Sequence, residues 1–234
     1  MDLAGLRDHL YSLATSLNTE DRELLTARLK SLISVFPFSE YEYILMFLED
    51  KGILSFAEYE DLRSNYVSKN GYLGLFELAP RIFGEIWGHQ HLIDLDNRFQ
   101  RADKSIDPEY EGQYDLLVGK ARIEVKSCRA INTKVRGPLV SKALAYDSSG
   151  SFWLNFQQLK LDTCDFFVFI GVWTDKIVYW VLSNDEMQKN PYLSHQHRGG
   201  VEYQIGMTEK NIKDFDKYRV IPNEIVDVIT AKSS

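Results

Sequence analysis

The chain has 234 residues, of which 44% are hydrophobic, 13% aromatic and 26% charged. This length and composition suit one large domain or a core with an added subdomain, and they exclude disordered, collagen-like and coiled-coil chains. Taken alone, the net charge of −7 argues weakly against a nucleic-acid partner. One stretch departs from this average, because residues 120–142 contain seven Lys or Arg and one Glu, a net charge of +6.

The sequence contains no sign of a membrane or secreted protein. No segment approaches 18 uncharged apolar residues, so we expect no membrane span. Charged residues occur throughout the first 30 positions, which argues against a signal-peptide core. Cys128 and Cys164 are too few for a disulfide framework. We therefore expect a cytoplasmic protein.

Residues 1–70 are predicted to form a helical N-terminal subdomain. Leucines recur at helical spacing between Leu3 and Leu17, and Ser55-x-x-Glu58 fits a capping box at the start of a later helix. The segment has 7 Lys or Arg against 12 Asp or Glu, a net charge of −5. We therefore expect it to serve dimerisation or to shape the core, and not to grip phosphates broadly.

Residues 71–234 are predicted to form the second domain, with mixed strands and helices. The patterns predict a helix over 80–92 and another over Trp153–Leu161, together with two hairpins. The hairpin strands are Tyr114–Val118 with Ala121–Lys126, and Phe166–Trp173 with Ile177–Leu182. The later hairpin is apolar on both faces, as in a central covered sheet. The expected fold class is α/β (α+β), a central mixed sheet flanked by helices.

The first hairpin contains a polar cluster. If Gly119-Lys120 is a two-residue turn, Asp115 lies opposite Glu124, and Lys126 follows two residues later on the same face. Two opposed carboxylates repel unless a positive group lies between them, and a divalent cation satisfies both. Lys126 is then close enough to orient a water or to stabilise a developing oxyanion. The alternative is a surface hairpin in which Lys126 merely pairs with either acid.

These residues resemble a nuclease signature. Gln113-Tyr114-Asp115-Leu116-Leu117-Val118 followed by Ile123-Glu124-Val125-Lys126 is similar to the PD-(D/E)xK nuclease superfamily, with Tyr114 in place of the proline. The order helix, strand, strand, helix, strand, strand over about 75–185 also resembles that core. The resemblance implies a catalytic Glu on the preceding helix, which Glu85 fits better than Glu77. It also implies a Gln on a later helix, where Gln157 and Gln158 both fit and Gln158 is favoured slightly.

Within the superfamily, the chain looks most like a prokaryotic type II restriction endonuclease. This implies Mg²⁺-dependent hydrolysis of double-stranded DNA at a short sequence, leaving 5′-phosphate and 3′-hydroxyl ends. Asp115, Glu124 and the Val125 carbonyl would hold the metal, and a water near Lys126 would attack phosphorus. A homodimer is expected if the DNA site is palindromic, and a cognate DNA methyltransferase is the expected genetic partner.

Several basic residues are candidates for DNA contact. Those that follow the catalytic strand are placed to meet phosphates or guanines. The later segment His195-Gln196-His197-Arg198-Gly199-Gly200 is a poor match for a zinc site and suits either a basic loop facing DNA or an ordinary surface loop. These candidates are Arg129, Lys134, Arg136, Lys142, His197 and Arg198. Two alternatives remain open, namely a repair or recombination nuclease of the same superfamily and a non-catalytic DNA-binding module.

Overall fold

A computed structural model describes residues 3–31, 40–197 and 201–233. The chain folds into two compact units, one comprising 1–78, 131–150 and 173–176, and the other 79–130, 151–172 and 177–234. The α-helices are α1 (Leu3–Ala14), α2 (Thr19–Ser31), α3 (Glu40–Asp50), α4 (Phe56–Lys69), α5 (Gly88–Leu95), α6 (Leu139–Lys142), α7 (Asn184–Gln188) and α8 (Ile225–Ser233). No helix in these described ranges has both the length and the apolar character needed to cross a membrane.

The first unit is helical and contains α1–α4 and α6. Helix α3 packs against both α1 and α4, and its Tyr41, Ile44 and Leu48 are buried. Ser55 caps α4, since its hydroxyl accepts from the Glu58 N–H while the Glu58 carboxylate accepts from the Ser55 N–H. The predicted capping box is therefore confirmed, and it fixes the start of α4.

The second unit is built on strands. They are β1 (Phe99–Arg101), β2 (Leu116–Val118), β3 (Ala121–Arg129), β4 (Trp153–Leu159), β5 (Phe166–Val172), β6 (Ile177–Ser183), β7 (Leu193–His197), β8 (Val201–Thr208) and β9 (Arg219–Val220). A six-stranded sheet has the order β1-β2-β3-β5-β6-β9, in which β3 and β5 are parallel and the other pairs are antiparallel. The predicted mixed sheet in a mixed α/β chain is thus confirmed.

The centre of this sheet is the apolar pair β5 and β6. Every residue of β5 is buried, and the rings of Phe167, Phe169 and Trp180 are at most 1% exposed. The later predicted hairpin is confirmed, because β5 and β6 pair in antiparallel register from Phe166↔Ser183 to Val172↔Ile177. Such a continuous apolar run is expected of strands covered on both faces.

The predicted helix over Trp153–Leu161 is wrong, because this segment forms strand β4. A separate sheet of order β4-β8-β7 contains it. Leu154, Phe156 and Leu159 are buried, and the pairing shifts register between Gln157 and Leu159. This bulge moves the buried positions from even to odd numbers. The apolar residues therefore lose strict alternation, and their spacing resembles that of a helix.

The predicted helix over 80–92 is confirmed, but its first part is unusual. It consists of a π-helical segment, Ile82–Trp87, that continues directly into α5. The rings of Phe83, Trp87 and His91 stack in succession along it, with centroids 5.0 and 4.8 Å apart. Single π-helical turns are rare and occur often at functional sites.

Candidate active site

The β2–β3 hairpin has the predicted register over three pairs, but the ladder ends at Leu116↔Ile123, one position before the predicted Asp115–Glu124 pair. Leu117 pairs with Arg122 and Val118 with Ala121, and Gly119 in the turn has a φ of +59°. A positive φ at the first turn residue is what a primed hairpin turn requires, and glycine adopts it without strain. Asp115 lies immediately before β2, and its N–H donates to the carbonyl of Ile123 at 2.9 Å.

The edge of β3 beyond this hairpin faces Asp115. The last β2–β3 pair is Leu116↔Ile123, so no described strand pairs with this edge from Glu124 onward. The Val125 N–H points to this edge, since it donates to Oδ2 of Asp115 at 2.8 Å. The N–H and C=O of one residue in a strand point to the same side of that strand, so the Val125 carbonyl is directed to the same edge. Asp115 and this carbonyl are thus brought together.

Glu124 lies beneath this edge and is completely buried. Its Oε1 is 2.7 Å from Nζ of Lys126, and its Oε2 is 3.8 Å from Nζ of Lys160. The Cys164 thiol donates to Oε2 at 3.5 Å. Burial raises the pKa of Glu124, the positive charge of Lys126 opposes this, and the negative charge of Asp115 adds to the rise. The two carboxylates are therefore close enough to interact electrostatically, as two ligands of one cation must be.

Asp115 has the opposite electrostatic environment. Burial acts to raise its pKa, but the His89 imidazole, the Val125 N–H and the Lys126 charge outweigh burial, and the pKa is lowered. Nε2 of His89 lies 3.6 Å from Oδ2 of Asp115. Asp115 is thus held ionised, whereas burial disfavours the ionised form of its neighbour Glu124.

A cleft of about 710 Å³ exposes part of this cluster. Carboxylate, ammonium, imidazole and amide groups line it, together with a short apolar stretch from the π-helical segment. The lining includes Asp115, Val125, Lys126, Ser127, Glu85, Ile86, His89, Asn155, Gln157, Gln158 and Lys160. Lys126 is 23% exposed, so its ammonium can reach both buried Glu124 and a molecule in the cleft.

Gln158 lines the cleft from a strand and not from the predicted helix. It lies at the bulge of β4, and its φ of +56° is the only positive value among the described non-glycine residues. A non-glycine residue in this region is strained, and such strain is concentrated at functional sites. Gln157, the alternative candidate, lines the same cleft and is also exposed.

Glu85 lies at the rim of the cleft. Its side chain is 62% exposed and its carboxylate is 2.8 Å from Nε of Arg81, one turn earlier. Glu77, the other sequence candidate, belongs to the first unit. Of the two acids that the sequence offered, Glu85 is therefore the one that lines the cleft. Its negative charge is partly neutralised by Arg81.

The candidate DNA contacts divide into separate groups. Arg129 is 8% exposed, and its guanidinium lies 4.4 Å from the ring centroid of Phe83, which favours a packing role over contact with phosphate. Lys134, Arg136 and Lys142 belong to the first unit. His197 ends strand β7, which corrects the prediction of a loop there, and Arg198 lies outside the described residues.

Three site residues were not predicted from the sequence, namely His89, Lys160 and Cys164. His89 follows Glu85 by four residues on the predicted helix, so helical periodicity alone places it on the same face. Lys160 and Cys164 had no such signal, because they approach Glu124 from positions 36 and 40 residues away along the chain.

The predicted metal ligands suit a hard divalent cation in their chemistry. Mg²⁺ takes one or two carboxylates and keeps several waters. Asp115 and the Val125 carbonyl face the edge of the cleft. Glu124 lies near them, with its carboxylate paired to Lys126. Within the described part of the chain, no group of three or more His, Cys, Asp or Glu side chains could hold a metal ion. A cation here would therefore depend on two carboxylates, a carbonyl and water.

Comparison with protein-family models, with curated proteins and with solved structures gives no match to this chain.

Proposed function

We propose that this protein is a Mg²⁺-dependent endonuclease of double-stranded DNA with a PD-(D/E)xK site. The observation that carries the proposal is the convergence of Asp115, Glu124 and Lys126 around one edge of β3, beside a polar cleft. A surface hairpin with a simple ion pair would leave Glu124 exposed, whereas this Glu124 is 0% exposed and is placed against a second lysine. A buried carboxylate costs free energy, which structural pairing alone seldom repays.

The sheet supports the same proposal. Helix, antiparallel strands β2 and β3, and then β5 parallel to β3 follow the order expected of a restriction-endonuclease-like core. The chain differs in one element, since strand β4 occupies the place of the expected helix. The bulged strand nevertheless brings Gln158 to the cleft, so an amide reaches the site by another route.

In the proposed mechanism, Asp115, Glu124 and the Val125 carbonyl would hold Mg²⁺, which would supply positive charge to the phosphate and lower the pKa of water. Lys126 would donate a hydrogen bond to the water whose oxygen bonds to phosphorus in line while the P–O3′ bond breaks. Solvent water would take up the proton of the attacking water and supply one to the leaving 3′ oxygen. His89 keeps Asp115 oriented and ionised. Gln158 and Glu85 border the same space, where the Gln158 amide would position a phosphate oxygen and the Glu85 carboxylate a water.

The proposed substrate is a short specific DNA sequence, as in a type II restriction system, and the proposed active form is a homodimer. Digestion of plasmid DNA with Mg²⁺ tests this. We expect discrete bands, no cleavage in excess EDTA, and loss of most cleavage in Asp115→Ala, Glu124→Ala and Lys126→Ala. These losses should not add, because the residues act as a unit. Asp185→Ala, an exposed acid on α7, is the matched control and should cleave normally.

Other outcomes would select the alternatives. Undiminished cleavage in EDTA or by Asp115→Ala contradicts the site assignment. A smear of fragments indicates a repair or recombination nuclease, and DNA binding without any cleavage indicates a binding module. A DNA methyltransferase gene beside this one would support a restriction system.

A further inference from the structure

Lys160 is a second cation at Glu124 for which the proposed mechanism has no role. Its Nζ lies 3.8 Å from Oε2 of Glu124, whereas Lys126 pairs with Oε1. The same ammonium donates to the carbonyl of Gly112 at 2.9 Å. Lys160 also lines the cleft, and its side chain is 39% exposed.

The formal charges of the two carboxylates and the two ammonium groups in this cluster balance, and the His89 imidazole lies beside Asp115 in addition. Asp115 and Glu124 contribute two negative charges, and Lys126 and Lys160 contribute two positive charges. A divalent cation entering alone would meet two ammonium groups beside the oxygen atoms that it needs. At about 4 Å, such like charges repel appreciably even near a protein surface. A phosphate entering alone would meet two carboxylates.

We infer that Lys160 competes with the divalent cation for Glu124, and that a DNA phosphate relieves this competition by binding the Lys160 ammonium. This inference rests on the proposed function. Cation and DNA then bind cooperatively, and each raises the affinity of the other by the same factor. The free protein takes up the cation weakly, so the site is assembled when DNA is present.

The burial and position of the two partners support this direction of exchange. Glu124 is buried and lies on a central strand, whereas Lys160 follows the end of β4 on a long, partly exposed stem. A phosphate accepts charge-assisted hydrogen bonds from ammonium groups as readily as a carboxylate does. Lys160 can therefore turn to the cleft while Glu124 stays in place, which leaves Oε2 for the cation.

Calorimetric titration with Ca²⁺ tests the inference without cleavage as the readout. The protein is titrated with and without a duplex oligonucleotide, and the heat of Ca²⁺ binding to DNA alone is subtracted. We expect Lys160→Met to bind Ca²⁺ roughly three- to tenfold more tightly in the absence of DNA. The strengthening of Ca²⁺ binding by DNA should be smaller in this variant. Lys160→Arg keeps the charge and should behave as the unaltered protein.

Lys189→Met is the matched control. Lys189 also pairs with a carboxylate, Asp185, but on the exposed helix α7. The Lys189→Met variant should therefore bind Ca²⁺ with the same affinity as the unaltered protein. Unchanged or weaker Ca²⁺ binding by Lys160→Met would overturn the inference, and the proposed function would stand if plasmid cleavage persists. Failure of the unaltered protein both to bind Ca²⁺ with DNA and to cleave plasmid would overturn the two together.

Discussion

At the scale of residues, Glu124 links the candidate site to the stability of the fold. It is a buried carboxylate whose pKa is raised by burial and lowered in part by Lys126. A raised carboxyl pKa means that ionised Glu124 lowers stability above its ordinary pKa, and that protonation relieves this cost as the pH falls. The ion pair with Lys126 therefore offsets a penalty, and either partner alone is costly.

This leads to a prediction for the Glu124–Lys126 pair. Lys126→Met should lower the free energy of unfolding by about 3 kcal/mol at neutral pH, because it leaves a buried charge with only the more distant Lys160. The loss should shrink as the pH falls through the raised pKa of Glu124. Glu124→Gln combined with Lys126→Met should recover most of the stability. Urea denaturation across pH measures all three effects.

The exposed ion pair of Lys189 serves as the control for this measurement. Lys189→Met removes a lysine that is 74% exposed, so the change should be at most about 0.5 kcal/mol. An equally small change in Lys126→Met would show that Glu124 is not a buried charge.

At the scale of elements, helix α5 packs against strand β3 through Gly88, its first residue. A Cβ added at Gly88 would lie 2.3 Å from Oγ of Ser127, so the helix approaches β3 closely only without a side chain there. The Ser127 hydroxyl is buried and has no hydrogen-bond partner within the described structure. This contact sets the distance between the helix that carries His89 and the strand that carries Glu124.

The contact predicts a compensating pair of substitutions. Gly88→Ala should lower the free energy of unfolding by about 1–3 kcal/mol through overpacking. Adding Ser127→Ala should restore stability, because the nearest remaining contact is an ordinary 3.5 Å to Cβ of residue 127. Gly84→Ala, on the same helical segment with nothing within 4 Å, should not destabilise. Thermal unfolding tests the set, and no recovery in the double variant would refute the packing argument.

At the scale of the whole molecule, the basic stretch 120–142 is split between the two units. Arg129 belongs to the second unit and is buried against Phe83, whereas Arg136 belongs to the first unit and is exposed. A dense run of Lys and Arg in the sequence therefore does not show how many of their positive charges are exposed for contact with DNA. The net charge of −7 makes the remaining exposed bases more important for any contact with phosphate.

Arg136 and Arg129 should accordingly respond differently to truncation. If Arg136 contacts a phosphate, Arg136→Ala should weaken DNA binding and reduce the slope of log affinity against log salt by about 0.9. Arg129→Ala should leave that slope unchanged and lower stability by about 1–2 kcal/mol, because it removes a buried stacking contact. Fluorescence anisotropy with Ca²⁺ at several salt concentrations distinguishes them. Identical slopes for Arg136→Ala and the unaltered protein would remove Arg136 from the DNA path.

The sequence by itself determined the features that depend on local periodicity. The turn at Gly119 and the two-residue period of a strand place Asp115 beside β3 and put Glu124 and Lys126 on one face. The capping box of α4 and the β5–β6 hairpin are equally local. Each involves neighbours a few residues apart, so spacing contains the necessary information.

Tertiary structure alone decided what depends on distant partners. Strand β4 pairs with β8 at positions 44 to 55 residues later, and its bulge hides the alternation that would have identified it as a strand. Likewise, the burial of Glu124 and its contacts with Lys160 and Cys164 depend on a segment that lies 36 to 40 residues later in the sequence and folds back against β3. Whether a charge is solvated or buried is set by those distant neighbours, and spacing along the chain does not record it.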